Sequence, residues 1–482
     1  MFRRHWSGLP ADPVFPENLK DLGYFINDVD EVRSIEDPDY YFKYFISKNT
    51  RWNERNRFAF DQAIQKVLKS RLADAGFTTV PLPLGTPTTE PHVPILTSAN
   101  AATASRVVVL FGETCQALGV FANRVIGGRG GVNRGSVLGF IKAMQQQHCS
   151  ATDPAPPGLV VTNPGELWWW PEGRRGLTQT DRHRIPMASA VHARYHAPEV
   201  NEIAGNRNVV EHVVSIFESV VLGERFVRKD AKVDVIVVGD TAEAVEKYLD
   251  DDTVFDRFDD RLNSLVILGG TYSSNDFNTE RFKRFIKERG RAYILHDAPL
   301  DSIVAGPSGN PAAGGFTSYG CPVYSAGPKA HYIETMLIEA QTAVLDWTQE
   351  VAVKGETYRN EKIEIISETE EDDGTWASYM KKAAEESKQT DGAGHATTDE
   401  TSKDVAENEI NNSQPEQIDH GVDGSPSKTD DSVAGTKENS NSTGATEAIG
   451  EMKLENDSAG DGPDAEEMKE LVEEVENLKI GH

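Results

Sequence analysis

The chain has 482 residues with 77 Asp+Glu against 49 Lys+Arg, a formal net charge of −28. No stretch approaches the ~20 apolar residues of a membrane span, and Met1–Trp6 runs into Ser7, Gly8 and Pro10 rather than an apolar signal core. Three cysteines, Cys115, Cys149 and Cys321, stand too far apart for a disulfide framework or a zinc site, so the expectation is an intracellular protein with no membrane segment, metal or cofactor.

The charge is uneven along the chain. Residues 367–482 hold 31 Asp+Glu against 9 Lys+Arg, and only Trp376 and Tyr379 of the 39 aromatic residues lie there. Such a segment buries too little apolar surface to offset the entropy of ordering it. It reads as a disordered acidic tail over 363–482, with the globular part ending near residue 362. The body before it is close to neutral, which argues against tight non-specific nucleic-acid binding.

Residues 1–57 are aromatic-rich and contain Phe15-Pro16-Glu17-Asn18-Leu19-Lys20-Asp21-Leu22-Gly23-Tyr24, the pattern of an extended arm packed on a domain. A domain spanning 58–362 follows. A helical period runs through Asn53–Leu72, and the Pro/Thr-rich residues 80–104 read as a surface connection. Val107–Gly112 is a continuous apolar run, the mark of a strand buried on both faces. Further strands are expected at 159–161, 233–238, 265–270, 292–295 and 322–324, with helices at 136–147, 208–222, 242–249, 278–289 and 331–352. Strands alternating with helices predict an α/β fold with a doubly wound, mostly parallel sheet. In the tail, Met468, Leu471, Val472, Val475 and Leu478 mark a short helix within 464–479, either a partner-binding motif or a residual tendency. Ser367 and Ser427 precede acidic residues, as in acid-directed phosphorylation sites.

The connectivity suggests an α/β-hydrolase test. That fold places a nucleophile on a G-x-S-x-G turn, with an acid and then a histidine after later strands. Here Gly239-Asp240-Thr241-Ala242-Glu243 occupies the turn, Asp297 (or Asp301) follows the fifth strand, and His331 follows the sixth. The order matches but the chemistry is eroded. Thr241 is β-branched at a strained turn, Glu243 replaces a small residue, and Glu113 puts a carboxylate where an oxyanion must be stabilised. Gly127–Ser136 is glycine-rich yet has Arg134 in place of the P-loop lysine, and reads as a flexible connection. His192 and His196 lack the glutamate of a zinc-protease helix. The segment Glu166–His196 gathers Trp168, Trp169 and Trp170 with Arg174, Arg175, Arg182, Arg184 and Arg194. Two readings stand: a single-stranded nucleic-acid platform, or a loop whose tryptophans plug the domain and whose arginines pair with nearby acids.

The motifs Phe15-Pro16…Leu22-Gly23-Tyr24, Asn53-Glu54-Arg55, Gly165-Glu166-Leu167-Trp168-Trp169-Trp170-Pro171-Glu172-Gly173 and Asp181-Arg182-His183-Arg184-Ile185-Pro186 resemble the Argonaute-binding-protein-two domain. Gly205–His212 and Gly306–Pro311 continue the resemblance to fungal-type members, over about residues 9–360. The resemblance implies a hydrolase-like fold used mainly as an interaction module. One member is similar to a subunit of the Argonaute siRNA chaperone complex, which holds duplex siRNA and supports heterochromatin assembly. A similar domain closes fungal class II histone deacetylases and is linked there to chromatin. This chain carries none of the zinc-deacetylase motifs, and Thr241 replaces the serine other relatives keep. The expected function is therefore a non-enzymatic adaptor of gene silencing, nuclear or nucleocytoplasmic, with an Argonaute-type or chromatin partner and siRNA as a further candidate ligand. The alternatives are a divergent esterase or peptidase using Thr241, Asp297 and His331, and direct siRNA binding through Trp168, Trp169, Arg174, Arg175, Arg182 and Arg184.

Overall fold

Residue by residue, the computed structural model describes 8–363. The expected acidic tail, its helix at 464–479 and its phosphorylation sites lie outside the described residues.

The arm forms a hairpin of β1 (Tyr24–Ile26) and β2 (Val32–Ser34) and leads into α1 (Thr50–Asp74). The helix is buried on more than its apolar stripe, because the arm covers it: Phe42 lies 4.0 Å from Phe60 centroid to centroid, and Asp12 accepts from Arg51 at 2.6 Å. Then come β3 (Phe77–Leu82), β4 (Val93–Ser98) and β5 (Arg106–Phe111), the single-turn helices α2 (Asn123–Ile126) and α3 (Gly131–Arg134), and α4 (Val137–Met144). Next are β6 (Gly158–Val161), a tryptophan hairpin of β7 (Trp168–Trp170) and β8 (Arg175–Leu177), α5 (Pro198–Asn201), and α6 (Val209–Ser215), which continues as a π-helical stretch, Ile216–Val221. The chain proceeds through β9 (Lys232–Val238), α7 (Thr241–Leu249), α8 (Asp252–Phe258), β10 (Leu262–Leu268), α9 (Glu280–Arg289), β11 (Gly290–Ile294), β12 (Ile303–Ala305), β13 (Val323–Ser325) and α10 (Ile333–Lys354).

Nine strands make one sheet in the order β12-β13-β11-β10-β9-β5-β6-β4-β3. The six central strands are parallel, and β3, β4 and β12 run antiparallel to their neighbours. Counted along the chain without the two-strand hairpins and β12, the order is 1-2-4-3-5-6-7-8, that of an α/β-hydrolase sheet. Side chains alternate across it. Val107, Val109 and Phe111 pack with Phe217, Val245 and Phe282 on one face, while Val108 and Leu110 join Ile64, Phe140 and Val344 on the other.

Two expectations are corrected. Residues 80–104 are not a mere connection, because they supply β3 and β4. Proline reads as a strand breaker, but here Pro81 and Pro94 face each other at the sheet margin, where a missing N–H is tolerated. The glycine-rich run is not a flexible connection either. It follows α2 as a turn and folds into the single-turn helix α3, and its amides are occupied by the arm: Val132 N–H donates to Asp30 O at 3.0 Å, Asn133 N–H to Asp30 Oδ2 at 2.6 Å, and Gly130 N–H to Glu31 Oε1 at 3.2 Å.

At the amino-terminal ends of the central strands sits a charged pair with both side chains fully buried. Arg106 Nε donates to Asp234 Oδ2 at 2.5 Å, and Asn263 Nδ2 and Ser264 Oγ donate to Asp234 Oδ1 at 2.7 and 2.6 Å. Arg106 Nη1 reaches His148 O at 3.0 Å, and Nη2 has no hydrogen-bond partner among the described residues. Removing one member leaves an uncompensated buried charge, so Asp234→Ala should cost about 3–5 kcal/mol in urea unfolding, whereas Arg106→Met combined with Asp234→Leu should cost far less.

Candidate functional site

β9 ends at Val238, and Gly239, at φ +66°, turns the chain into α7. This is the elbow position of the fold, and its groups are engaged in packing. Thr241 is fully buried, and its Oγ1 donates to Gly112 O at 3.0 Å. Over the turn lies Glu113, from the loop after β5: a Cβ added at Gly239 would stand 2.7 Å from Glu113 Oε1. Glu113 Oε2 accepts from Cys115 N–H at 3.0 Å and from the Cys115 thiol at 2.6 Å. Burial and this carboxylate push the Cys115 thiol up to about 12, so it stays protonated and unreactive. Glu243 points away into an ion pair with Lys247.

Asp297 and His331 are both exposed, after β11 and just before α10. Among the described residues, no hydrogen bond or ion pair joins either to Thr241 or to the other. Asp301 instead holds Arg291 at 3.1 Å and the Tyr293 hydroxyl at 3.0 Å. The topology thus brings the three triad positions to the same end of the sheet without assembling a relay.

The tryptophan hairpin is built into the domain. Successive residues of a strand face opposite ways, so Trp168 packs with Phe58, Leu177 and Ile185, while Trp169 packs with Val93, Leu167 and Ile203. Each is 3 % exposed, which leaves neither ring a face for a base. Arg184 pairs with Glu54 and lies 3.7 Å from Asp181. Arg175 sits over the Phe58 and Trp170 rings, and Arg182 donates to His183 Nε2 at 2.9 Å. Arg174, at the hairpin turn, is the exposed one.

Beside the elbow, between α1, the loop after β5 and the tryptophan hairpin, lies a polar cavity of about 300 Å³. Sequence reading missed it because its acids come from distant segments. Asp61 projects from α1 and accepts from Arg57 Nε at 2.9 Å. Glu166 accepts from Leu118 N–H and Asn163 Nδ2, each at 3.0 Å. Asp181 begins one of the quoted motifs, but nothing in the sequence links it to Asp61. Below, His212 is fully buried: it accepts from Asn163 N–H at Nε2 (3.1 Å), so Nδ1 carries the proton it gives to Asn206 Oδ1 (2.8 Å). Burial pulls its pKa down to about 3, and the ring is neutral.

Against this geometry the family can be placed. The model of the Arb2 domain matches residues 15–300, more than half of the chain. The chain belongs to the Arb2-domain family. No curated protein sequence matches it. A solved arylesterase structure is similar at 11 % identity, covering 61 % of this chain and 91 % of that one, with a TM-score of 0.28, too distant a likeness to inform chemistry. Within this Arb2 domain, Glu166 of the motif Gly165–Gly173 and Asp181 and Arg184 of the motif Asp181–Pro186 line the cavity. In the motif Gly165–Gly173, a Cβ at Gly165 would stand 2.0 Å from Gln116 O, so only glycine lets the two loops meet.

Asp181 supplies a pH signature. Burial, then Asp61, push its carboxyl up to about 7, against Arg184 and Arg175. The folded state therefore holds a proton that the unfolded chain releases near pH 4. The contribution of Asp181 to stability falls as pH rises between about 4 and about 7, by up to ~1.4 kcal/mol per pH unit. The neutral, buried His212 contributes with the opposite sign, up to its unfolded pKa near 6.5. Urea unfolding of the parent and of Asp181→Asn across that window isolates the Asp181 contribution: the stability of the variant relative to the parent should rise with pH from about 4 to about 7.

Proposed function

We propose that this Arb2-domain protein is a non-enzymatic binding module, an adaptor of small-RNA-directed heterochromatin silencing that docks an Argonaute-type or chromatin partner. The observation that carries the reading is the Glu113 carboxylate seated over Gly239, beside a Thr241 hydroxyl already bonded to Gly112 O. Acyl transfer needs hydrogen-bond donors aimed at the developing oxyanion, and a carboxylate opposes that charge. The resemblance to a subunit of the Argonaute siRNA chaperone complex supports an Argonaute-type or chromatin partner and a nuclear or nucleocytoplasmic location. Among the described residues, no helix is long and apolar enough to cross a membrane.

Affinity purification of the full chain from its own cells should retrieve an Argonaute-type protein or a chromatin-silencing component. Recovery of neither, in repeated preparations that retain the intact chain, would overturn the assignment. The enzyme alternative predicts covalent labelling by a fluorophosphonate that Thr241→Ala abolishes. The expected result is no labelling of either form.

A further inference from the structure

At the end of the sheet away from the elbow, the amino-terminal ends of β9 and β10 open into a cleft of about 900 Å³. It shares no lining residue with the polar cavity. α9 forms one wall with Arg281, Arg284 and Arg289, and the chain after α10 forms another with Gly355 and Arg359.

The charges of this cleft do not balance. Three of its cations are matched: Lys232 Nζ lies 3.6 Å from Glu356, Arg359 Nε lies 2.6 Å from Glu288, and Arg281 pairs with Asp256. Its Asp230 is held by Arg228. Among the lining residues that leaves Arg284 and Arg289 against the carboxylate of Asp260. Arg284 is exposed and has no hydrogen-bond or ion-pair partner among the described residues. Arg289 is half-buried, and its guanidinium makes four hydrogen bonds, all to uncharged oxygens: Asn263 O at 2.6 Å, Asn263 Oδ1 at 2.8 Å, and Gly355 O and Tyr358 O at 3.1 Å each. These acceptors fix the group in place without neutralising it. Asp234, which Asn263 also contacts, is committed to Arg106. Burial, with Arg359 next, pulls the pKa of Arg289 below the usual arginine value. A cation partly withdrawn from water without a counter-charge is costly, and a carboxylate brought into the cleft offsets that cost.

The chain carries the complement close by. After Arg359 it runs along the end of α9, where Asn360 N–H donates to Glu288 O at 2.8 Å and Asn360 Nδ2 to Gly290 O at 2.7 Å. Within residues 368–373, Glu368, Glu370, Glu371, Asp372 and Asp373 are acidic and none is basic. Glu368 comes nine residues after Arg359, a reach of up to about 30 Å. A segment tethered so closely is presented at an effective concentration on the order of 1 mM, so a weak site is enough to hold it. We propose that the acidic run Glu368–Asp373 docks in this cleft of its own chain, with its carboxylates on Arg284 and Arg289. The contact closes this end of the sheet to other anions, and it does not depend on the silencing role.

The test is a fluorescence-anisotropy titration of the full chain with a fluorescein-labelled peptide of residues 364–375. The peptide competes with the chain's own run, so the parent should bind it weakly. A full-chain variant carrying Glu368→Gln, Glu370→Gln, Glu371→Gln, Asp372→Asn and Asp373→Asn leaves the cleft open. It should bind the peptide at least about tenfold more tightly than the parent, with saturation below about 1 mM. Adding Arg284→Glu to that variant should weaken binding about fivefold, with a thermal melt to check that the fold is kept. Raising NaCl from about 50 to about 300 mM should weaken binding in the open variant without any further substitution. Equal affinity of the parent and the open variant would overturn the proposal, because the cleft would then take an acidic segment from elsewhere. Failure of the open variant to saturate, or affinity unchanged by Arg284→Glu in a folded chain, would overturn it too.

Discussion

Everything in this domain hangs on the pairing of β5 with β9, and that pairing is fixed from its amino-terminal end by Arg106 and Asp234. A buried ion pair adds little net stability over an apolar pair but strongly penalises any register that separates its members. Arg106 stands opposite Lys232, and Val108 opposite Asp234, so a slip of one residue would strand both charges in the core. Asn263 and Ser264 extend the same constraint to β10. With three central strands locked at one end, their opposite ends deliver the Gly112–Cys115 loop and the Gly239 turn to a fixed separation. The contact between Glu113 and Gly239 follows from that alignment.

The same rigidity explains how a domain can keep the hydrolase topology and hold other chemistry. Glu113 closes the turn after β9, and the tryptophan hairpin roofs the sheet next to β4 rather than opening a platform. The polar space that remains is displaced toward α1, whose Arg51 and Arg55 also tie the arm to residues 183–185 through backbone carbonyls. The arm is thus a wall of the domain: it positions the helix that carries Glu54, Arg57 and Asp61.

How much of this was legible in the sequence depends on how local the signal is. Strands buried on both faces announce themselves as apolar runs, so β5, β9, β10 and β11 were readable, as was the alternation with helices. β3 and β4 were not, because prolines and threonines mimic a loop wherever a strand lies at the sheet margin. The glycine-rich run resembled a phosphate loop for a physical reason: its amides do hold carboxylates, but those of Asp30 and Glu31 in the same chain. The order of Thr241, Asp297 and His331 was legible from topology, yet their separation is a matter of loop conformation that spacing does not encode. Asp61 and Asp181 meet only in three dimensions, and no periodicity joins them.

Gly239 has a meaning beyond its turn. Its presence in an elbow-like sequence invites the view that it is left over from a nucleophile's motif. Yet any side chain there would collide with Glu113 as well as strain the backbone at φ +66°. The glycine is therefore demanded by the left-handed turn itself, and the present carboxylate occupies the space beside it. For an engineer this makes the two positions a ratchet: placing a serine at position 241 would not reopen the turn until the residue at 113 had first been made small, and shrinking it would in turn release the Cys115 thiol from the partner that keeps it protonated.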